Sequence, residues 1–250
     1  MRARHRHFKF GAVQNSKLVL DSRYIQQSDN TEVSPWADRS GNGHDVSQAT
    51  AANRPTFQTA EQGGNGVVRF DGSNDVLTRN EISIGSPVAA TVIVYAKRAT
   101  ASTGEFLTVV EVPEYWRLVF STTASNISTI GINFIGYPDN GTTTILPSQG
   151  VSTSTDAYKV YTITYNGSAA NNKDNYSAFF DGTSQTISQN NIGTSSLARG
   201  STVGIGARGT ATGHTGCDIG FVGVFATDMA APLRKRCEHA NAFAFKHSCN

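Results

Sequence analysis

The stretch ATVIVYAKRA, which runs from Ala90 to Ala99, decides the fold expected for this chain. It is a nearly continuous run of β-branched and other apolar residues, and it contains neither proline nor glycine. A short apolar run of this kind is typical of a strand that is buried on both faces. The sequence therefore predicts a central strand here, with other parts of the protein covering both of its faces.

Further strands are predicted on either side of this run, and residues that favour turns separate them. They are KLVLD (17–21), VVRFDG (67–72), EFLTVVEV (105–112), YWRLVFS (115–121), TIGINFIG (129–136), YKVYTITYNG (158–167), NYSAFFDG (175–182), STVGIGA (201–207) and DIGFVGVFA (218–226). Short strands at this spacing, with no helix between them, predict stacked antiparallel sheets. The expected fold class is therefore all-β, a two-sheet antiparallel β-sandwich of the jelly-roll type.

One α-helix is expected, over residues 228–247. Thr227 or Asp228 is the expected N-cap, and Pro232 falls in the first turn, where its missing N–H does no harm. Apolar residues recur with helical spacing, so they form one stripe, and charged residues are expected off it. The stripe is Leu233, Cys237, Ala240, Ala244 and His247, its borders are Met229 and Phe243, and the charged residues off it are Arg234, Lys235 and Glu238. The helix should therefore pack on the outside of the sandwich.

The charge distribution divides the chain into a basic arm over residues 1–16 and a domain over residues 17–250. Charged residues make up 16% of the chain, against about 25% in ordinary soluble domains. The formal net charge is +2, and the nearly neutral domain argues against a nucleic-acid-binding body. The arm either docks on an acidic surface or on nucleic acid, or it is a solvated terminus. Its basic residues, which are candidates for assembly contacts, are Arg2, Arg4, Arg6 and Lys9.

No targeting or membrane segment is expected. The basic start is not followed by an apolar segment, so it does not read as a secretory signal. No apolar run approaches the roughly 20 residues that a membrane span requires. The chain is therefore expected to be soluble.

The three cysteines predict neither a zinc site nor a disulfide along the helix. Cys217, Cys237 and Cys249 form no C-x-x-C pair. In a continuous helix Cys237 and Cys249 would lie roughly 18 Å apart, whereas a disulfide needs Cα atoms within about 7 Å. Two interpretations stay open: buried free thiols, or an inter-subunit disulfide, for which Cys249 is the best candidate.

Two neighbouring segments resemble a known family. PWADRSGNGHDVSQATAANRPTF (35–57), followed by GVVRFDGSNDVLT (66–78), resembles the opening of the concanavalin A-like, laminin G-like jelly-roll modules. The segments YKVYTITYNGS and NYSAFFDG, and the C-terminal part of the chain, resemble that family's later strands and its terminal helix. The matching positions at the front are Trp36, Asp38, Ser40, Gly41, Asn42, Gly43, Arg54, Pro55, Phe70, Asp71, Gly72, Asp75 and Leu77. The resemblance covers residues 17–247 and implies a concanavalin A-like sandwich.

Two positions depart from the family's pattern. Gly223 stands where the last strand usually has an acidic residue, and we expect it on the surface, where little depends on it. Lys246 and His247 stand where the family has Lys-Trp, which should weaken the anchoring of the helix.

The segments over residues 35–57 and 66–78 have the residue types of a ligand site, but the resemblance favours a structural role for them. Asn42 and Gly43 are expected to supply the positive φ of a tight turn. Trp36 is expected to bury its ring at a sheet edge and to hydrogen-bond its N–H. Asp38 and Asp71 are expected to accept backbone N–H groups in Asx turns. This stretch is therefore predicted to shape loops.

Two kinds of small-ligand site are considered. Calcium prefers carboxylate and carbonyl oxygens, and the candidate ligands are Asp71, Asn74 and Asp75, or alternatively Asp139 and Asn140. No other cofactor is expected. Sugars stack on exposed aromatic rings, and the candidates are Tyr115, Trp116 and Tyr137. Trp116 alternates with Leu118 and Phe120, which indicates instead that it points into the core.

Enzymatic chemistry is weakly supported by the sequence. Glycoside hydrolysis needs two carboxylates about 5–9.5 Å apart, and the nearest pair, Glu111 and Glu114, is separated by the strand-breaking Pro113. His214 lies near Cys217, but a loop histidine is the favoured interpretation over a Cys–His nucleophile pair. We expect the protein not to be an enzyme.

The resemblance implies a module that works by recognition and assembly. Stand-alone modules of this kind resemble those of tailed-phage virion proteins, which decorate capsids, collars, tails or fibres. On this interpretation the protein is a virion component that forms homo-oligomers, contacts other virion proteins and binds host glycans. The alternatives are a free-standing carbohydrate-binding lectin and a polysaccharide hydrolase.

Overall fold

The computed structural model describes residues 13, 15–80, 82, 89–98, 107–112, 116–122, 130–136, 143–147, 157–166, 176–191, 202–207 and 213–244. For 107–112, 116–122, 130–136, 143–147, 187–191 and 242–244 the description is of the backbone alone. No helix among these residues is long and apolar enough to cross a membrane.

The described strands form two antiparallel sheets, as predicted. The first has nine strands in the order β13-β12-β11-β6-β16-β4-β3-β2, with β1 also paired to β16, and the second has seven in the order β14-β10-β9-β8-β7-β15-β5. The bounds are β1 Ser16–Asp21, β2 Thr31–Glu32, β3 Thr56–Gln62, β4 Asn65–Asp71, β5 Leu77–Asn80, β6 Ala90–Arg98, β7 Leu107–Val112, β8 Trp116–Thr122, β9 Ile130–Gly136, β10 Thr143–Pro147, β11 Lys159–Tyr165, β12 Tyr176–Phe180, β13 Thr183–Gln185, β14 Ile187–Asn191, β15 Thr202–Ile205 and β16 Gly216–Phe225. The all-β, two-sheet antiparallel prediction is confirmed.

Each predicted strand is present within a few residues of its expected bounds, but six others were not predicted. These are β2, β3, β5, β10, β13 and β14. Several are short and polar, such as TSQ in β13. Backbone N–H and C=O groups of a neighbouring strand recruit such segments whatever their side chains are. β13 pairs with β12 because the turn Asp181-Gly182 has positive φ at both residues.

β6, which is formed by the apolar run at residues 90–98, is buried on both faces, as predicted. β6 lies between β11 and β16 in the nine-stranded sheet. Val92 and Val94 point into the core between the sheets, whereas Ile93 and Tyr95 belong to a second apolar cluster on the outer face. The inner core includes Leu77, Val203 and Ile205 of the other sheet.

The C-terminal helix α1, Ala231–Ala244, covers the outer face of β6 and β11, as expected. Its buried Cys237 belongs to the outer apolar cluster, which Leu233 and Ala240 border. Cys217 and Cys237 are both buried free thiols, in agreement with one of the two interpretations of the cysteines. Cys249 lies outside the described residues.

The helix begins later than predicted, and neither Thr227 nor Asp228 is its N-cap. The carbonyl of Ala230 accepts the first helical hydrogen bonds. The hydroxyl of Thr91 donates to the carbonyl oxygen of Thr227 over 2.8 Å and accepts from the Met229 N–H over 3.0 Å. The segment before the helix is therefore held against β6 and cannot enter the helix at residue 228.

The buried face of the helix is more polar than predicted. Arg234 and Glu238 were expected off the stripe, but both are buried, and Arg234 Nη1 lies 2.6 and 2.8 Å from the two carboxylate oxygens of Glu238. The guanidinium carbon of Arg234 lies 3.4 Å from the ring centroid of Phe179. Mutual neutralisation and the aromatic ring make this burial tolerable. The side chain of Asn241 is also buried and has no hydrogen-bond partner among the described residues.

Gly223 is buried on the outer face of β16, so its expected surface position was wrong. A Cβ added there would lie 2.7 Å from Phe225 Cε2 and 2.9 Å from Phe221 Cε1. The two rings close over the backbone at this point and leave no room for the acidic residue of the family's pattern.

Candidate functional site

Within the segment over residues 35–57, which carries the family resemblance, residues 36–46 form a loop. One carboxylate fixes this loop to the edge of β1. Asp38 Oδ1 accepts the N–H of Val19 over 2.9 Å and that of Ser40 over 2.8 Å. Asp38 Oδ2 accepts the Ser40 hydroxyl over 2.6 Å and the N–H of His44 over 3.0 Å. Burial alone would raise the pKa of Asp38, but these hydrogen bonds together hold it below its usual range. The predicted role of Asp38 in shaping the loop is confirmed.

Other side chains of the loop also bind the backbone of β1. Asn42 Nδ2 donates to the Ser16 carbonyl oxygen over 2.8 Å, and His44 Nδ1 lies 2.7 Å from that of Lys17. The positive φ values occur at Gly41 and Gly43, so the expectation was correct for Gly43 and wrong for Asn42. Asn42 contributes its side-chain amide to the turn instead of a left-handed backbone.

Trp36 buries its ring as predicted, with 1% of its surface exposed. Its backbone N–H donates to the carbonyl oxygen of Val46 over 2.9 Å. The indole N–H, however, has no hydrogen-bond partner among the described residues, so this part of the prediction was wrong. The ring packs in the core between the sheets, where apolar side chains surround it.

The calcium candidates lie together in a second tight loop after β4. Asp71 Oδ1 accepts the N–H groups of Ser73 over 2.8 Å and Asn74 over 3.2 Å, which confirms the predicted Asx turn. Asp75 Oδ2 accepts the Asp71 N–H over 2.8 Å, and Asn74 Nδ2 donates to the Ala52 carbonyl oxygen over 2.9 Å. No group of three or more His, Cys, Asp or Glu residues suited to a metal occurs in the described part of the chain. Calcium binding remains a prediction.

The carboxyl of Asp75 has a pKa above that of an ordinary aspartate. Burial and then the nearby Asp71 charge raise the pKa of its carboxyl to about 6, against the lowering effects of the Asp71 N–H and of His214. The His214 ring nitrogen Nδ1 lies 3.1 Å from the carbonyl oxygen of Asp75. His214 therefore binds the loop backbone, in line with the favoured interpretation of a loop histidine.

Cys217 has the environment of a core residue. Its side chain is buried among the apolar residues between the sheets. Burial, with smaller contributions from the charges of Asp218 and Asp75, raises the pKa of its thiol well above the ordinary value. A nucleophilic cysteine needs the opposite shift and access to its substrate.

Sequence reasoning missed a polar row that crosses the outer face of the nine-stranded sheet. It consists of Tyr158, Lys97, Asp218 and Arg69. Asp218 has no exposed surface, and Arg69 binds it with Nε at 2.7 Å and Nη2 at 2.9 Å. Lys97 Nζ lies 3.2 Å from Asp218 Oδ2, and the Tyr158 hydroxyl donates to the same oxygen over 3.0 Å.

The electrostatics of the polar row are those of a structural ion cluster. Burial alone would raise the pKa of Asp218, but the hydrogen bond and charge of Arg69, followed by those of Lys97, hold it below its usual range. Burial and then the charge of Asp218 raise the pKa of Tyr158. The one signal in the sequence is that Asp218 interrupts the apolar strand GCDIGFVGVF.

A second feature missed by sequence reasoning is an exposed aromatic side chain beside the loop over residues 36–46. Tyr24 has 48% of its surface exposed. Among the described residues, it is the one large hydrophobic side chain that is exposed. The guanidinium carbon of Arg39 lies 4.2 Å from its ring centroid. A tyrosine in the polar segment SRYIQQSDN, directly after a strand, is the signal that could have found it.

The structure describes few of the other predicted site residues. Trp116 opens β8, and its backbone pairs with Val112 and Gly136. Glu111 lies in β7, where its backbone pairs with Gly204 and Arg117. The predicted residues outside the described part of the chain are Arg2, Arg4, Arg6, Lys9, Glu114, Tyr115, Tyr137, Asp139, Asn140 and Cys249.

Solved structures share this fold. The receptor binding domain of botulinum neurotoxin D superposes with a TM-score of 0.59 at 15% identity, over 91% of this chain and 53% of that one. The receptor binding domain of the C/D mosaic serotype gives 0.58 at 14% identity, over 90% and 51%. The serotype D ligand binding domain in complex with N-acetylneuraminic acid gives 0.56 at 14% identity, over 90% and 50%.

At these identities the likeness shows a shared β-sandwich fold. The chain spans about half the length of these neighbours, so their receptor and ligand binding is a property of larger proteins. No family model and no curated protein sequence matches the chain.

Proposed function

We propose that this protein is a non-enzymatic recognition module of the concanavalin A-like, laminin G-like type. The observation that carries the proposal is the loop over residues 36–46, whose polar side chains bind backbone groups and hold it rigidly on the edge of β1. A loop fixed in advance loses little conformational entropy when it binds a partner. Such loops on a rigid scaffold are a common place for recognition surfaces.

The chemistry of Asp38, Asp218 and the Cys217 thiol supports binding over catalysis. Asp38 and Asp218 are engaged by hydrogen-bond donors and cations, and the Cys217 thiol is buried. The structural neighbours, which include a receptor binding domain and a ligand binding domain, support the same class of function. Receptor or glycan recognition is therefore the proposed activity.

More specifically, we propose that the protein is a component of a virion of the tailed-phage kind. The support is the resemblance of the sequence to laminin G-like jelly-roll modules and the basic composition of residues 1–16. On this proposal the arm and α1 contact other subunits, so the protein forms homo-oligomers and binds other virion proteins and host glycans. Free-standing lectin activity is the second candidate, favoured by the exposed Tyr24.

Mass measurement in solution tests the assembly proposal. Size exclusion with light scattering should show an oligomer, and deletion of residues 1–10 should weaken it while the melting temperature stays nearly unchanged. A strict monomer that binds a glycan array would favour the lectin instead. Release of reducing sugar from a polysaccharide, abolished by Glu111→Ala or Glu114→Ala, would contradict the non-enzymatic proposal.

A further inference from the structure

Tyr24 and Arg39 form an exposed pair on a rigid part of the surface. Tyr24 ends the short 3-10 turn Ser22–Tyr24, which follows β1 directly. The Ser22 hydroxyl donates to the carbonyl oxygen of Gly66 in β4 over 2.6 Å, and the Ile25 N–H donates to that of Ser22 over 3.0 Å. The Asp21 carboxylate accepts from the backbone N–H of Arg23 and from its guanidinium. The backbone that carries Tyr24 is therefore held on both sides.

Arg39 is held equally firmly from the other side of the pair. Its backbone N–H donates to the carbonyl oxygen of Val19 over 2.7 Å. Its neighbours in the chain, Asp38 and Ser40, take part in the hydrogen bonds that fix the loop to β1. Two segments of the chain thus bring an aromatic ring and a guanidinium together without either depending on a flexible loop.

The charge of Arg39 is available to a ligand. Its guanidinium stacks on the Tyr24 ring, and none of the ion pairs of the described residues includes it. The neighbouring Arg23, in contrast, is paired with Asp21. Arg39 is itself exposed, as are Gln26 and Gln27, whose amides can exchange hydrogen bonds with hydroxyl groups.

From this geometry we propose that Tyr24 and Arg39 form a binding site for an anionic saccharide. The exposed part of the tyrosine ring offers an apolar surface to the C–H face of a sugar. The guanidinium, oriented by its contact with the ring, presents two parallel N–H donors to a carboxylate or a sulfate. This inference rests on the proposed recognition function and names both its site and its class of ligand.

Calorimetric titration with three related saccharides tests the site. The probes are lactose, which is neutral, sialyllactose, which carries a carboxylate, and lactose sulfate. The wild-type protein should bind one or both anionic forms at least about tenfold more tightly than lactose. The relative affinities of the carboxylated and sulfated forms then identify which anion the site prefers.

Two variants and a matched control locate the binding. Tyr24→Ala and Arg39→Gln should each lower the affinity for the anionic saccharide by about tenfold or more, as expected for aromatic and arginine contacts. Arg39→Gln should also reduce the preference over lactose. Lys235→Gln removes one positive charge from an exposed position on α1. It should change neither the affinity for the anionic saccharide nor the preference for that saccharide over lactose. All three variants should melt within a few degrees of the wild type, because the positions are exposed.

Equal binding by Tyr24→Ala and the wild type would overturn the site while leaving the recognition module standing. Absence of binding to all three saccharides at millimolar concentration would overturn the class of ligand. The proposed function fails separately, if the protein is found to release reducing sugar from a polysaccharide.

Discussion

The loop over residues 36–46 and the polar row on the outer sheet face each centre on one aspartate, and they use it differently. Asp38 is surrounded by N–H and O–H donors, most of them within a few residues of it in the chain. Asp218 is neutralised by the side chains of Arg69 in β4 and Lys97 in β6, and it is bound by the hydroxyl of Tyr158, which directly precedes β11. Arg69 is 149 positions away from Asp218 in the chain. The first arrangement shapes a turn, and the second ties neighbouring strands together.

The largest expected effect is the loss of Asp218. Asp218→Ala should lower the free energy of unfolding by about 3 kcal/mol, because it leaves the partly buried Arg69 and Lys97 without their counter-ion. Arg69 is 35% exposed, so solvent offsets part of the cost. Urea denaturation followed by circular dichroism measures the change.

Glu61→Gln is the matched control for Asp218→Ala. Glu61 also pairs with Arg69, with Oε1 3.1 Å from the same Nη2 that binds Asp218, but the Glu61 side chain is 30% exposed. Its loss should cost less than about 1 kcal/mol. Equal costs for the two variants would show that burial of Asp218 does not distinguish the polar row from a surface ion pair.

The next largest effect is expected at the loop. Asp38→Ala removes the acceptor for three backbone N–H groups and a hydroxyl, and it should cost about 2 kcal/mol. Asp45→Ala, which removes an acceptor for one N–H group, should cost less than about 1 kcal/mol. An Asp38→Ala cost above that of Asp218→Ala would reverse the comparison between the two regions.

The smallest expected effect is a pH dependence from Asp75, which differs from both other aspartates in the sign of its pKa shift. An unfolded aspartate has a pKa of about 3.9, and Asp75 in the folded protein has one of about 6. The folded state therefore binds this proton more tightly, and its contribution to stability is full below pH 4 and lost as the pH rises through 6.

Comparison with Asp75→Asn isolates this contribution, because the variant cannot titrate there. Between pH 4 and 7 the stability of the wild type should fall relative to the variant by about 2 kcal/mol, as measured by urea denaturation at each pH. Parallel pH profiles of the two proteins would contradict the assignment. Calcium that raises the melting temperature of the wild type at pH 7, but not that of Asp75→Asn, would support the calcium prediction.

Residues whose role depends on nearby parts of the chain were predictable. The β-branched run at residues 90–99 predicted a strand buried on both faces, and the motif containing Asp38 and Asp71 predicted turns. The assignment within the turn was less accurate, because Gly41 and not Asn42 has the positive φ. A motif states which residue types a turn needs, whereas the backbone geometry decides which residue adopts each conformation.

Residues whose role depends on distant partners were not predictable. Helical periodicity placed Arg234 and Glu238 off the buried stripe because it counts a charge as exposed, whereas their mutual pairing and the ring of Phe179 allow burial. Gly223 was assigned to the surface because only the tertiary structure shows the rings of Phe221 and Phe225 above it. The exposed pair of Tyr24 and Arg39 likewise joins two segments that no local pattern relates.

The sequence by itself determined that this protein is an antiparallel sandwich with a C-terminal helix, since alternation, β-branched runs and turn residues act over a few neighbouring positions. Only the tertiary structure decided which charges are buried, which glycine is covered and which aromatic residue faces the solvent. Those outcomes depend on the energies of side chains brought together from strands far apart in the chain, and a linear pattern does not contain them.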